Sequence, residues 1–407
     1  MAAFGRFSIG RLIPQAAVPA LAVLIAMAPS AEAAEDGVFT DSITFGQSAA
    51  LSGPAQALGQ GMQRGIKLAF TAINANGGVK GRTLLLDSMD DRYEPEQAVE
   101  NTHRLIYEER VFALIGAVGT PTSKAAEPLA TKAGVPYIAP FTGAELLREP
   151  YRATVVNMRA SYFQETEALV SLLADRMGKR RIAVFFQDDS FGRAGRTGVV
   201  KALERRASKM VGDGRYIRNS VAIKRGLYDI MKSQPDAVIM IGAYKPIATF
   251  VQWAAKLGFE PTFATISFVG SEALAEALAS RPLANRGAGV IVSQVVPFPH
   301  PTPGVPTLPL VSEFLRDNGL HGGNGPTDLV TFEGYVAGRL TAELLSRIDG
   351  DPTRVAFTAA VQAANDLSLR GFPLSFDRGD SQGSDQVYLT ELDGKGSLRP
   401  LRLERTR

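Results

Sequence analysis

The strongest constraint in this chain is a strand–turn–helix–strand stretch, Val111 to Thr142. It reads VFALIGAVGTPTSKAAEPLATKAGVPYIAPFT. Val111 to Ile115 is an apolar run too short for a helix and bounded by Gly116, which suits a strand buried on both faces. Gly119 to Ser123 form a turn that opens a helix expected over Ser123 to Lys132. Pro121 sits near its first position, with Thr120, Thr122 or Ser123 as candidate caps. The free N–H groups of such a helix suit a carboxylate or another anion. A second strand, Val135 to Ile138, then runs into Pro140-Phe141-Thr142. In a parallel sheet, two hydroxyl-bearing loops at neighbouring strand ends line one crevice.

The same alternation runs through most of the chain. Strands are expected over Ile43–Ala49, Thr83–Ser88, Ile182–Phe186, Ala237–Ile241, Thr262–Ser267 and Gly289–Ser293, each followed by a helical pattern until the last. Met62, Ile66, Ala69, Phe70 and Ile73 fall at helical spacing, and Asn76-Gly77-Gly78 ends that helix. Strand after helix after strand argues for parallel pairing, because each return needs a crossover. A run with prolines at 297, 299, 301, 303, 306 and 309 excludes helix and central strand and reads as a stiff surface connection. Three helices follow, then terminal strands over Gly371–Phe376 and Gln386–Leu392, and a loose tail.

Composition narrows the function. With 407 residues there is room for two domains, and 44 basic against 41 acidic residues give no argument for nucleic acid. No cysteine is present, which removes disulfides, thiolate metal sites and a cysteine nucleophile. The three histidines, His103, His300 and His321, have no ligand spacing, so neither a metal nor a cofactor is expected. Asp90-Asp91 and Asp188-Asp189 are adjacent pairs near strand ends. Their side chains diverge on an extended chain, so they read as loop caps and not as a catalytic dyad. Residues 1–33 read as an export signal: Arg6 and Arg11, an apolar stretch from Ala16 to Ala28, and Ala31-Glu32-Ala33 as a cleavage site. A periplasmic location is therefore expected.

The order of short landmarks resembles the type I periplasmic solute-binding proteins, and within them the branched-chain (hydrophobic) amino acid receptors of ABC importers. These landmarks are Leu51-Ser52-Gly53-Pro54, Ile73 to Gly81 (INANGGVKG), Asp90-Asp91, Pro95-Glu96-Gln97-Ala98, Ile115-Gly116, Gly134-Val135-Pro136, Arg181-Ile182-Ala183-Val184 and Phe191-Gly192. The resemblance implies an α/β fold of two Rossmann-like lobes with parallel sheets, joined by a three-strand hinge. Lobe 1 would take 40–156 plus 297–369, and lobe 2 would take 157–296 plus 370–407. It implies a monomer that closes on a small amino acid-like or organic acid ligand and presents it to a membrane permease, with no chemistry performed. The alternative is a ligand sensor of the same fold acting on a signalling partner.

Carried over residue by residue, the resemblance gives a ligand site. Gly119 stands where the family has its first contact serine, leaving Thr120 or Thr122 to substitute. Thr142 matches the family threonine after a one-residue gap, and Phe141 offers backbone groups. Phe191 and Tyr244 match aromatics that close over the ligand. Leu58 stands where a relative carries tyrosine. Ser267 replaces the glutamate that pairs with the ligand's ammonium, and a hydroxyl supplies no counter-charge. An amine-free carboxylate is therefore a live ligand class. Arg159 is expected either at the cleft, favouring an acidic ligand, or on the surface.

Overall fold

Two sheets carry the molecule, and each grows from strands that are apolar on both faces. In the computed structural model, which describes residues 1–5, 10, 35–281, 287–304 and 306–401, the first sheet has the order β2-β1-β3-β4-β5 and is parallel throughout. Its strands are β1 (Ser42–Ala49), β2 (Thr83–Asp90), β3 (Ala113–Ile115), β4 (Tyr137–Ile138) and β5 (Val155–Val156). The helices between them are α1 (Gln56–Ala75), α2 (Pro95–Tyr107) and α3 (Thr120–Lys132).

The chain then passes through α4 (Tyr162–Val170) into a second sheet built on β6 (Ile182–Gln187), β7 (Gly212–Tyr216), β8 (Ala237–Ile241), β9 (Thr262–Thr265) and β10 (Ile291–Gln294). Every residue of β6 and β8 is buried, as a central parallel strand requires. Helices α5 (Ser190–Glu204), α6 (Lys224–Lys232), α7 (Tyr244–Lys256) and α8 (Ser271–Ala279) alternate with these strands. The proline-rich connection leads to α9 (Pro309–His321), α10 (Leu329–Ser346) and α11 (Arg354–Gln362), of which α10 packs along α1. A small hairpin, β11 (Leu367–Leu369) with β12 (Phe372–Leu374), precedes β13 (Tyr388–Leu392) and β14 (Leu398–Pro400). These last two join the second sheet antiparallel, giving the order β14-β13-β10-β9-β8-β6-β7.

The chain therefore moves between the sheets three times, after β5, after β10 and before β13. The first and third passages are zipped together. Asn157 N–H donates to Ser381 O at 2.8 Å, Gly383 N–H donates to Asn157 O at 2.7 Å, and the Asn157 side chain donates to Ser381 Oγ at 3.0 Å. The expectation of two parallel-sheet lobes on a three-strand hinge agrees with this architecture.

Two local expectations are corrected and one strand is added. The helix after Gly119 begins at Thr120, so Thr120, Thr122 and Ser123 lie inside its first turn. The cap position is Gly119, at φ 105°, which has no side chain with which to cap. The second strand continues through Asp90 instead of ending before it. Strand β7, Gly-Asp-Gly-Arg-Tyr, leaves no strand signal in the sequence because it is an edge strand with no apolar run. The expected export signal over 1–33 and the tail after Leu401 fall almost wholly outside the described residues. Among the described residues no helix is long and apolar enough to cross a membrane.

The α1–α10 contact tests the packing. Gly65 faces α10, and a Cβ there would lie 2.0 Å from Thr331 O and 2.5 Å from Tyr335 N. Alanine would gain about 1 kcal/mol of helix propensity, but overpacking against rigid backbone costs about 1–3 kcal/mol. Gly65→Ala is expected to lower unfolding stability by up to about 2 kcal/mol net, read from the urea midpoint.

Candidate functional site

The loops at the carboxyl ends of the two sheets face each other, and the site follows from what each loop can project. From the first lobe, β3 and β4 end in Val118-Gly119-Thr120 and Phe141-Thr142, which are bridged in parallel at Val118 and Phe141. The Thr120 and Thr142 hydroxyls are 2.7 Å apart and buried. The second lobe contributes Phe191 from the first turn of α5 and Phe268 from the turn after β9. Asp189 caps α5 by accepting the N–H groups of Phe191 (2.9 Å) and Gly192 (3.3 Å), which fixes the Phe191 backbone.

Aromatic rings close the space between the lobes. Phe268 stands 4.4 Å from Phe191, 5.5 Å from Phe141 and 6.0 Å from Tyr93, centroid to centroid, and Tyr162 stands 5.5 Å from Phe191. Gly119 is needed for this packing, since a Cβ there would fall 2.2 Å from the Tyr93 ring. Gln187 ties the far side, donating to Tyr93 Oη at 3.3 Å and accepting from Tyr216 Oη at 3.0 Å. The Tyr162 hydroxyl is buried beside Thr120 and Thr142, but the geometry makes no hydrogen bond and leaves it unpaired. Burial pushes its pKa up, so it stays a neutral donor.

Arg159, on the first passage between the lobes, forms the floor of this space. It is 2 % exposed, which rules out the surface position. Its guanidinium lies 4.7 Å from the Phe141 ring centroid, donates to Ser267 Oγ, and sits 3.4 Å from carboxylates on both lobes: Glu165 of α4 and Glu333 of α10. Burial opposes the charge on Arg159, but Glu333 and Glu165 outweigh it and hold its pKa above the ordinary value. Its Nε and Nη1 have no hydrogen-bond partner.

Ser267 changes meaning here. Its N–H and hydroxyl donate to Glu165 at 2.8 and 3.0 Å, and Ser293 Oγ donates to the same carboxylate at 2.6 Å. A carboxylate does occupy this neighbourhood, supplied by α4, but Arg159 and the two serines already use it.

Other expected residues lie elsewhere. The Thr122 hydroxyl turns back to Val118 O at 2.5 Å and Gly119 O at 3.0 Å, within its own turn. Tyr244 opens α7 at the rim, its hydroxyl toward the Ala57 backbone. Leu58 lies beside it, touching Gly270, where a Cβ would fall 2.6 Å from Leu58 Cδ2. Leu58 and Gly270 line a cavity of about 390 Å³ between α1, α8 and the start of α10. Tyr93, Phe268, Tyr162, Glu165 and Glu333 were not singled out from the sequence. Phe268 alone carried a local signal, as the residue after Ser267 at a strand end.

A two-lobed α/β clamshell with hydroxyls, aromatic walls and unpaired buried donors between its lobes defines a solute-binding class of protein. Residues 42–397 match the model of the periplasmic binding protein family, and the chain belongs to that family. It is 26% identical over 388 residues, 91% of this chain and 94% of the relative, to Leu/Ile/Val-binding protein homolog 7 of Brucella abortus. It is 35% identical to the crystal structure of a possible leucine/isoleucine/valine-binding protein from Rhodopirellula baltica, with a TM-score of 0.82 and coverage of 90% and 97%. A periplasmic substrate-binding protein from Ralstonia solanacearum is 27% identical, with a TM-score of 0.80 and coverage of 88% and 100%.

The buried triad sets a pH dependence. Burial, partly offset by Arg159, raises the Glu333 pKa to about 7, against 4.5 for an ordinary glutamate. Between those values the folded state keeps a proton that the unfolded state releases, so stability falls as pH rises from about 4.5 to about 7. Glu333→Gln is expected to reduce that fall by its own share, with Glu272 and Asp91, whose pKa values burial also raises to about 7, keeping the rest, measured as unfolding stability at pH 5, 6, 7 and 8. Arg159→Met, which strands Glu165, is expected to cost about 3–5 kcal/mol at pH 8.

Proposed function

We propose that this chain is the extracytoplasmic solute receptor of an ABC importer, acting in the periplasm and presenting its bound ligand to a membrane permease. The supporting observation is the buried cluster between the lobes: Thr120, Thr142 and Tyr162 offer hydroxyls beside the first turn of α3, while Phe141, Phe191 and Phe268 supply apolar walls. In the first turn of α3, Pro121 has no N–H and Ser123 N–H donates to Gly119 O at 3.0 Å, which leaves the N–H groups of Thr120 and Thr122 to suit a carboxylate. The rings suit an apolar ligand body. Lobe 1 as 40–156 plus 297–369 and lobe 2 as 157–296 plus 370–407 would hinge apart to admit the ligand and close to bury it. Closure is the signal that a permease reads, and the protein performs no reaction. Its ligand is a small amino acid-like or carboxylate solute.

A thermal-shift panel on protein refolded to strip carried-over ligand tests this reading. It would hold the common amino acids beside aromatic and short aliphatic carboxylates. A ligand that binds only the native state at 100 times its Kd adds about 2.7 kcal/mol of stability, so at least one member should raise the melting temperature by several degrees. Thr142→Val should weaken that ligand about tenfold or more, the loss of one hydrogen bond to a charged group, and Phe268→Ala should weaken it comparably. No shift from any member overturns the proposal.

A further inference from the structure

The cavity at Leu58 and Gly270 has a feature that the site above does not use. Glu272, in the first turn of α8, reaches across the cleft. Its Oε1 accepts the Leu329 N–H at the start of α10 at 3.0 Å, so one carboxylate oxygen is spent joining the lobes. Its other oxygen, Oε2, is shut off from bulk solvent and has no hydrogen-bond partner, and Glu272 is among the residues that line the cavity. A buried carboxylate oxygen without a donor is costly, and a donor brought by a ligand would offset that cost.

The charges around it set the sign of that ligand. Arg64 faces the cavity, but it is already paired with Asp328 at 3.2 Å and also donates to Thr331 Oγ1 at 3.3 Å. Its Nε–H is unpaired and adds a donor without excess positive charge. His300 closes the outer side, and burial lowers its pKa, so it is neutral at pH 7. Glu276, one turn beyond Glu272 on α8, is exposed at the rim and adds negative charge. The lining is therefore net negative, with one unsatisfied acceptor at its inner end.

We propose that this cavity is a ligand subsite for an N–H-bearing organic cation, a primary ammonium or a guanidinium, with Glu272 Oε2 as its acceptor. The inference rests on the reading of the cleft as a solute site and narrows the solute to one that carries a positive group. A volume of about 390 Å³ holds a small molecule and not a peptide. Glu272 is a second carboxylate beside the cleft, and unlike Glu165 it is not consumed by an internal cation. Burial, with Asp328 adding to it, lifts its pKa to about 7. A bound cation would favour the ionised form. Cation affinity should therefore be full above pH 7 and fall about tenfold between pH 8 and pH 6 as Glu272 takes up a proton.

The test is calorimetric titration of the stripped full chain with leucine, lysine, arginine, agmatine, putrescine and amine-free 4-methylpentanoate, at pH 6 and pH 8. The proteins would be wild type, Glu272→Gln and, as a surface control, Glu204→Gln on α5. Glutamine keeps the oxygen that accepts from Leu329, so the variant is expected to fold, and its urea midpoint verifies that. The expected result is that at least one cationic probe binds wild type and the control equally. Glu272→Gln should bind it at least tenfold more weakly, with the pH dependence gone. If 4-methylpentanoate is the only binder, or Glu272→Gln binds the cations as wild type does, the inference is overturned and the solute-receptor reading stands. If no probe binds any of the three proteins, the inference is overturned, and the solute-receptor reading is decided by the wider thermal-shift panel.

Discussion

The closed arrangement depends on one guanidinium. Arg159 comes from the strand that joins the lobes, Glu333 from a helix of the first lobe and Glu165 from a helix of the second, and all three are buried. Removing a charge of this kind from water costs several kcal/mol. Only opposite charges brought by both lobes repay it. The lobes therefore share a group that neither satisfies alone: Glu165 with its serines belongs to the second sheet, and Glu333 arrives only with α10 of the first. The aromatic cluster adds apolar burial on top of this, but rings tolerate sliding. The ion triad, with its fixed donors, sets the register of one lobe against the other.

Around that centre the division of labour is chemical. The first lobe offers hydroxyls and a helix N-terminus, groups suited to an anion. The second lobe offers Phe191 and Phe268, and at the rim Glu272, a carboxylate with one oxygen unspent. Such a cleft recognises by the placement of a few polar atoms inside an apolar wall. Ser267 illustrates why a single position misleads. Its own side chain brings no charge, but its N–H and hydroxyl collect the carboxylate of Glu165 from a helix about a hundred residues away in sequence.

How much of this could be read from sequence follows from the range of each interaction. The sheets were legible because β6 and β8 are unbroken apolar runs, and a strand covered on both faces leaves that signature locally. The pairing of the loops at Thr120 and Thr142 was legible for the same reason, since neighbouring parallel strands put successive loops together. Strand β7 was not, because an edge strand of Gly-Asp-Gly-Arg-Tyr is held by one neighbour and needs no apolar run. Nor was the capping at Gly119, where a three-residue shift in the helix start turned three candidate caps into first-turn residues. Tyr93 and Glu333 were invisible as site residues, since only closure of the lobes brings them to the cleft.

The hydrogen-bonded passages at Asn157, Ser381 and Gly383 carry a mechanical consequence. Two chains tied at both faces of Asn157 behave as a single ribbon. A ribbon bends across its flat face far more easily than it shears or splays. The proline-bearing second passage, with the φ of each proline fixed, acts as a strut of set length beside it. A ribbon and a strut leave the lobes essentially one free angle. Entry and release of a solute then reduce to motion along a single coordinate, and anything that tilts that angle acts on every contact in the cleft at once.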